Sequence, residues 1–153
     1  MVDSLVDHHA ASIEYRQIER KGRRRFSGIV QDIFMDYWLV QHWSRFSDES
    51  FQSFSEKAVT SLSADLRMCP PRLHSMVESL VEYNWLPNLG TIEGIEKAIR
   101  SIQRRWRHGH HLSPFLDDIH AELAYVEPVF LSLYPEVLEA SVRFQMGVKK
   151  TQT

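Results

Sequence analysis

Between Arg25 and Arg45 the chain carries no charge except Asp32 and Asp36, which sit inside the run FSGIVQDIFMDYWLVQHW. Stepping by about 100° per residue puts both carboxylates on one helical face with Ile29, Ile33, Leu39, Val40 and Trp43. Val30, Phe34, Tyr37 and Trp38 cover much of the opposite side. A helix apolar nearly all round is expected to be central and buried. A carboxylate buried there without a partner would be strongly destabilising, so each aspartate is expected to be protonated, paired with a cation, or bound to a metal.

The remaining periodicity is helical throughout, with no alternation that suits a strand, and predicts an all-α single domain over 1–153 of about six or seven helices. A first helix spans about Asp3 to Gly22 and the apolar one about Phe26 to Phe46. Ser47, with Asp48 and Glu49 after it, reads as the N-cap of a third, whose inward stripe is Phe51, Phe54, Ala58, Leu62 and Leu66. Pro70 and Pro71 stop it and open a fourth, carried by Leu73, Met76, Val77, Leu80 and Val81, and LPNLG then makes a loop. Thr91 is the expected cap of a helix with Ile92, Ile95, Ile99, Ile102 and Trp106 on its seam. After Gly109, Ser113 and Pro114 restart a helix through Phe115, Leu116, Ile119, Leu123 and Val126. Pro128 is expected to kink or interrupt it, Pro135 to begin the last piece, and 147–153 to be a disordered tail.

Length and composition suit one soluble globular domain: 153 residues, 43% hydrophobic and 25% charged. No segment approaches the roughly 20 apolar residues of a membrane span, and MVDSLVDHHAAS resembles no export signal. The single cysteine, Cys69, can form no internal disulfide, which suits a reducing cytoplasm. The formal charge of −2 hides two basic clusters, RQIERKGRRR at 16–25 and Arg100, Arg104, Arg105 and Arg107. These point to an anionic partner or to the solvated face of a helix. Nucleic acid is not the expected partner, because the chain as a whole is not basic and carries no nucleic-acid motif.

Histidines offer weaker signals. HGHH at 108–111 could bind a metal but sits in a Gly-containing loop, where solvent exposure is expected. In DSLVDHH, Asp3 and Asp7 stand one turn apart beside His8 and His9, an oxygen and nitrogen set suited to manganese or to a plain surface. His42 lies beside the aspartate face. No GxSxG, HExxH, CxxC pair, phosphate loop or dinucleotide fingerprint occurs.

The run RRRFSGIVQDIFMDYWLVQHWSRFS resembles the acyl-carrier-protein phosphodiesterase (ACP hydrolyase) family, whose members have a helix of the form DxxxDHFL followed by a HW pair. PPR at 70–72, NWL at 84–86, the helix ending in RRWR and FLSLYPEVL follow in the same order and at compatible spacing. The resemblance implies an all-α fold distantly similar to the HD phosphohydrolases. It also implies an enzyme of fatty-acid and lipid metabolism that removes 4'-phosphopantetheine from holo acyl carrier protein with manganese or a similar ion.

Carried residue by residue, the resemblance makes Asp32 and Asp36 the paired catalytic and metal-binding aspartates. Asp3 and Asp7 match the metal-binding aspartates of the family's HRxIDxxTD segment. Arg23, Arg24, Arg25, Arg104 and Arg105 become candidates to dock the acidic carrier protein or grip phosphate. Two departures stand out. The chain begins just after the histidine of HRxID, so the family's preceding NFLAH and GDF segments are expected to be missing. Tyr37 also stands where the family has the His of DHFL, and a phenol does not replace imidazole as a ligand or a neutral-pH proton shuttle. Three readings stay open: a metal-dependent phosphodiesterase, a non-catalytic homologue that binds the carrier protein or another acidic partner, and a structural helical domain in which the aspartates pair with Arg25 or Arg45.

Overall fold

The computed structural model describes residues 2–18, 26–65 and 70–151, and their side chains except at 2–3, 72–73, 75–76, 79–80 and 147–151. Among the described residues every regular element is helical. The order is α1 (Val2–His8), α2 (Ala10–Gln17), α3 (Ser27–Gln41), α4 (Phe51–Asp65), α5 (Pro71–Glu82), α6 (Trp85–Asn88), α7 (Ile92–Arg105), α8 (Ser113–Leu116) and α9 (Ile119–Thr151), with 3-10 turns at Trp43–Arg45 and Gly109–Leu112. The all-α class is as the periodicity predicts, but these nine helices exceed the six or seven it implies. The first segment splits, LPNLG holds a turn of helix, and the segment after Gly109 divides.

The chain forms two compact units, Met1–Met35 with His108–Thr153, and Asp36–Arg107. In the first unit the split falls at His9, whose extended backbone (φ −65°, ψ 132°) ends one helix and precedes the next. Arg16 spans the corner, donating to Asp7 Oδ1 at 2.8 Å and to the Ser12 carbonyl at 3.2 Å. Helix α9 packs against both α1 and α2. Its buried positions Ile119, Leu123, Val126, Phe130 and Leu133 recur every three or four residues, as a core-facing stripe requires.

Neither Pro128 nor Pro135 interrupts α9, contrary to the sequence expectation. Both prolines are on the exposed side, where water can take the carbonyl that each leaves without an amide. The buried stripe holds the helix together on either side of Pro128. The expected tail, 147–153, falls on residues whose side chains lie outside the description.

The second unit is built around α7, with Ile95 and Ile99 fully buried. Thr91 caps it as predicted: its hydroxyl accepts the Gly94 amide at 3.0 Å and donates to the Asn88 carbonyl at 2.9 Å. Ser47 does not cap α4. That helix starts at Phe51, and Ser50 accepts the Ser53 amide at 3.2 Å, while Ser47 closes a turn by accepting from the Glu49 amide. The α4 stripe is also less buried than predicted. Phe51 and Phe54 lie against Trp43, with ring centroids 5.1 and 4.7 Å away, and Phe54 and Leu62 remain partly exposed. Leu66 and Cys69 lie outside the described residues.

Gly90 is needed where the chain returns to α3: a Cβ there would meet Val40 Cγ1 at 2.5 Å, and Gln41 donates to the Gly90 carbonyl at 2.8 Å. The remnant of LPNLG is therefore a compact bracket for the end of α3, entered through Asn84 in the left-handed region (φ 47°).

Candidate functional site on helix α3

Helix α3 has one decidedly buried face, made by Ser27, Val30, Gln31, Ile33 and Phe34. Asp32 and Asp36 fall on the other side and are exposed. This corrects the expectation of two carboxylates trapped in a core: the Val30 and Phe34 side faces inward, and the aspartate side, despite Ile29 and Val40 beside it, faces out. The energetic anomaly is thereby removed, because an exposed carboxylate keeps its hydration. A polar contact anchors the choice of face. Gln31 Nε2 donates to Ser12 Oγ at 2.8 Å, with both residues buried.

The aspartates stand one turn apart, a rise of about 6 Å along the axis. Asp32 belongs to the first unit and Asp36 to the second, on one continuous helix. Beyond Asp36 the helix carries aromatic rings: Tyr37 meets Trp38 edge-on at 5.1 Å, and Trp38 stacks on His42 at 5.4 Å. His42, just past the end of α3, is thus held by a ring stack on Trp38.

The other candidates are distributed less simply. Asp3 lies on α1, and its side chain is outside the description. Asp7 is exposed and ion-paired with Arg16. His8 Nδ1 lies 2.7 Å from the Ser4 carbonyl, whereas His9 is mostly buried, with Nε2 3.6 Å from Glu136 and a buried Nδ1 that has no hydrogen-bond partner. In the HGHH segment His108 and His110 are exposed, as predicted, but His111 is half-buried and stacks on Phe26 at 4.7 Å. The 3-10 turn that buries Gly109 and Leu112 draws it inward. No three His, Cys, Asp or Glu side chains among the described residues form a group able to hold a metal ion.

Arg23, Arg24 and Arg25 lie outside the described residues. Arg104 and Arg105 are exposed at the end of α7, with Arg105 turned back onto Ser101 through its carbonyl and hydroxyl. A shallow cleft of about 300 Å³ in the second unit, lined by Phe51, Gln52, Ser55, Glu56, Asn84 and Pro87, has no counterpart in the sequence expectations. Its lining joins α4 to a turn some thirty residues away in the chain, a pairing that no local sequence signal carries. No helix among the described residues is long and apolar enough to cross a membrane.

An all-helical protein that presents an aspartate pair at i and i+4 on an outward helix face is the class that these observations define. A family model described as acyl carrier protein phosphodiesterase matches residues 1–137, and the chain belongs to that family. Curated proteins bearing the name acyl carrier protein phosphodiesterase resemble it at low identity over most of its length. One from Klebsiella pneumoniae is 23% identical over 149 residues, covering 95% of this chain and 76% of that protein. One from Photorhabdus laumondii is 26% identical over 139 residues (90% and 70%), and one from Escherichia coli is 27% identical over 143 (93% and 74%). No solved structure matches the chain.

Proposed function

We propose that this protein hydrolyses the phosphodiester bond joining 4'-phosphopantetheine to acyl carrier protein in the cytoplasm, with Asp32 and Asp36 at the reacting end of the site. The observation that supports this most is the outward carboxylate pair on α3 in a chain of this family. Such a pair can hold a water by accepting its hydrogen bonds and can receive its proton during attack on phosphorus. The Tyr37 hydroxyl can donate a hydrogen bond to a phosphoryl oxygen.

Two carboxylates and a phosphodiester are all anionic, so their approach calls for a cation, and a divalent ion such as manganese is proposed as cofactor. When bound, such an ion polarises a phosphoryl oxygen and lowers the pKa of its water. Asp32 and Asp36 would supply two donors. Asp3 and Asp7 are the further candidates, and Asp7 would have to exchange its Arg16 partner for the ion. The described residues do not by themselves complete a metal set.

The test is release of phosphopantetheine from holo carrier protein, followed by mass spectrometry, for the parent with manganese and for Asp32→Asn and Asp36→Asn. Each variant is expected to lose about 10²-fold or more in rate. Failure of the parent to release the arm would overturn the proposal, and full activity in both variants would remove the assigned residues. Calorimetric titration with manganese separates the ion from the chemistry: equal binding by all three proteins would exclude Asp32 and Asp36 as ligands. Tyr37 in place of the family histidine favours a second reading, a homologue that binds the carrier protein without turnover. It predicts measurable binding in the same experiments with no release.

A further inference from the structure

We infer that the C-terminal turn of α7, where Arg104 and Arg107 flank Trp106, is a docking surface for an acidic protein, which under the proposed function is the carrier protein itself. The partner's identity rests on that proposed function, whereas the location rests on how charge is compensated among the described residues.

Most described Lys and Arg side chains have a carboxylate within reach. Arg16 pairs with Asp7, Lys57 with Glu49, Lys97 with Glu93, Arg100 with Glu96 and Arg143 with Glu139. Along α7 this produces an internal order. The first three turns alternate acid and base at i and i+4, with Lys97 2.7 Å from Glu93 and Arg100 3.9 Å from Glu96. The acids then stop, and Arg104, Arg105 and Arg107 follow with no carboxylate partner among the described residues. Among the described Lys and Arg side chains Arg45 is the other one without such a partner, so of these the unpaired ones are mostly at the end of α7.

Stabilising the helix does not require all of this charge. Cations at a helix C-terminus complement the macrodipole only modestly, and the effect is confined to the last turn. Arg105 already serves that end, reaching the Ser101 carbonyl at 3.3 Å and the Ser101 hydroxyl at 2.8 Å. Arg104 and Arg107 are exposed and remain available to a partner, and Trp106 between them leaves 39% of its surface in solvent. Guanidinium groups beside an exposed indole are the residue types enriched at protein interfaces, where bidentate arginine–carboxylate pairs give orientation as well as attraction. A protein occupant fits better than nucleic acid, because the chain as a whole carries a net charge of −2 and this turn offers a partly exposed indole beside its guanidinium groups.

The experiment measures anisotropy of fluorescently labelled apo acyl carrier protein, which has no arm to hydrolyse, titrated with the full chain. Arg104→Glu/Arg107→Glu is expected to weaken binding about tenfold or more at low salt, and added salt should weaken the parent more steeply than this variant. Arg104→Gln/Arg107→Gln, a milder change, should weaken it in the same direction. Arg143→Glu, which alters charge on α9, should leave affinity unchanged. Binding of both arginine variants within twofold of the parent overturns the proposal, as does an equal loss in Arg143→Glu. Displacement of the carrier protein by a short single-stranded DNA at comparable affinity overturns the protein partner. A parent that binds apo carrier protein but never releases phosphopantetheine from the holo form refutes the proposed hydrolysis and leaves the docking surface standing. A parent that turns over normally alongside unaffected arginine variants does the reverse.

Discussion

Replacing Ser12 by alanine and Gln31 by methionine, singly and together, tests what turns the aspartate face of α3 outward. The Ser12 hydroxyl and the Gln31 carboxamide are 0% and 2% exposed and lie 2.8 Å apart, so neither has water as an alternative partner. Among the described residues the one other contact of the Gln31 amide is weak, to Met35 Sδ at 4.0 Å. Either single substitution leaves a buried polar group unsatisfied and should cost about 1–3 kcal/mol, or about 2–12 °C in Tm for a chain of this size. The double variant removes both polar groups and should be less destabilised than the sum of the singles by about 1 kcal/mol or more.

Two optical probes sharpen the readout. The four tryptophans, at 38, 43, 85 and 106, all belong to the Asp36–Arg107 unit, whereas Ser12 and Gln31 belong to the other. Far-UV circular dichroism follows all the helices, and tryptophan fluorescence follows the second unit. If the chain unfolds as one cooperative domain, as its length suggests, both melting curves shift together. If the units unfold separately, only the dichroism curve shifts. Single substitutions costing less than about 0.5 kcal/mol, or a strictly additive double variant, would refute the claim that this buried pair holds the face of α3.

Gly94→Ala places a Cβ 1.7 Å from the Asn88 carbonyl oxygen, a backbone atom that cannot swing aside, so the start of α7 must move; a loss of about 2 kcal/mol or more is expected, and a Tm within about 1 °C of the parent would contradict it. Glu49 is held below the ordinary glutamate value of 4.5 by hydrogen bonds from Lys57 and then Ser53. Because its folded pKa is depressed, the associated stability is present above that value and lost as pH falls through the folded pKa. Lys57→Met should therefore lower Tm at neutral pH and converge with the parent once the pH has fallen through the folded pKa of Glu49, and a gap that persists with Glu49 fully protonated would refute the pairing.

The local rules succeeded where a signal and its consequence lie within a few residues. Thr91 caps α7 because its hydroxyl needs only the amide three positions on. The 3.6-residue periodicity likewise marked Ile95, Ile99, Leu123 and Val126 as core positions before any partner surface was known. Ser47 failed for an equally local reason: Ser50, three residues later, satisfies the same amide-acceptor requirement at the true helix start. The prolines of α9 failed because a local penalty of proline was outweighed by an apolar stripe along the same helix.

By itself the sequence determined an all-helical protein, its family, and the spacing that sets Asp32 and Asp36 on one helical face, since all three depend on residue type and order along the chain. Only the tertiary structure decided which way that face points. Apolar residues on both sides made the two orientations of α3 nearly equivalent locally, and the choice came from partners distant in sequence, such as Ser12 for Gln31. The arrangement of the arginines divides in the same way. Their clustering was legible, but which of them already have a carboxylate within reach depends on side-chain geometry that composition does not contain.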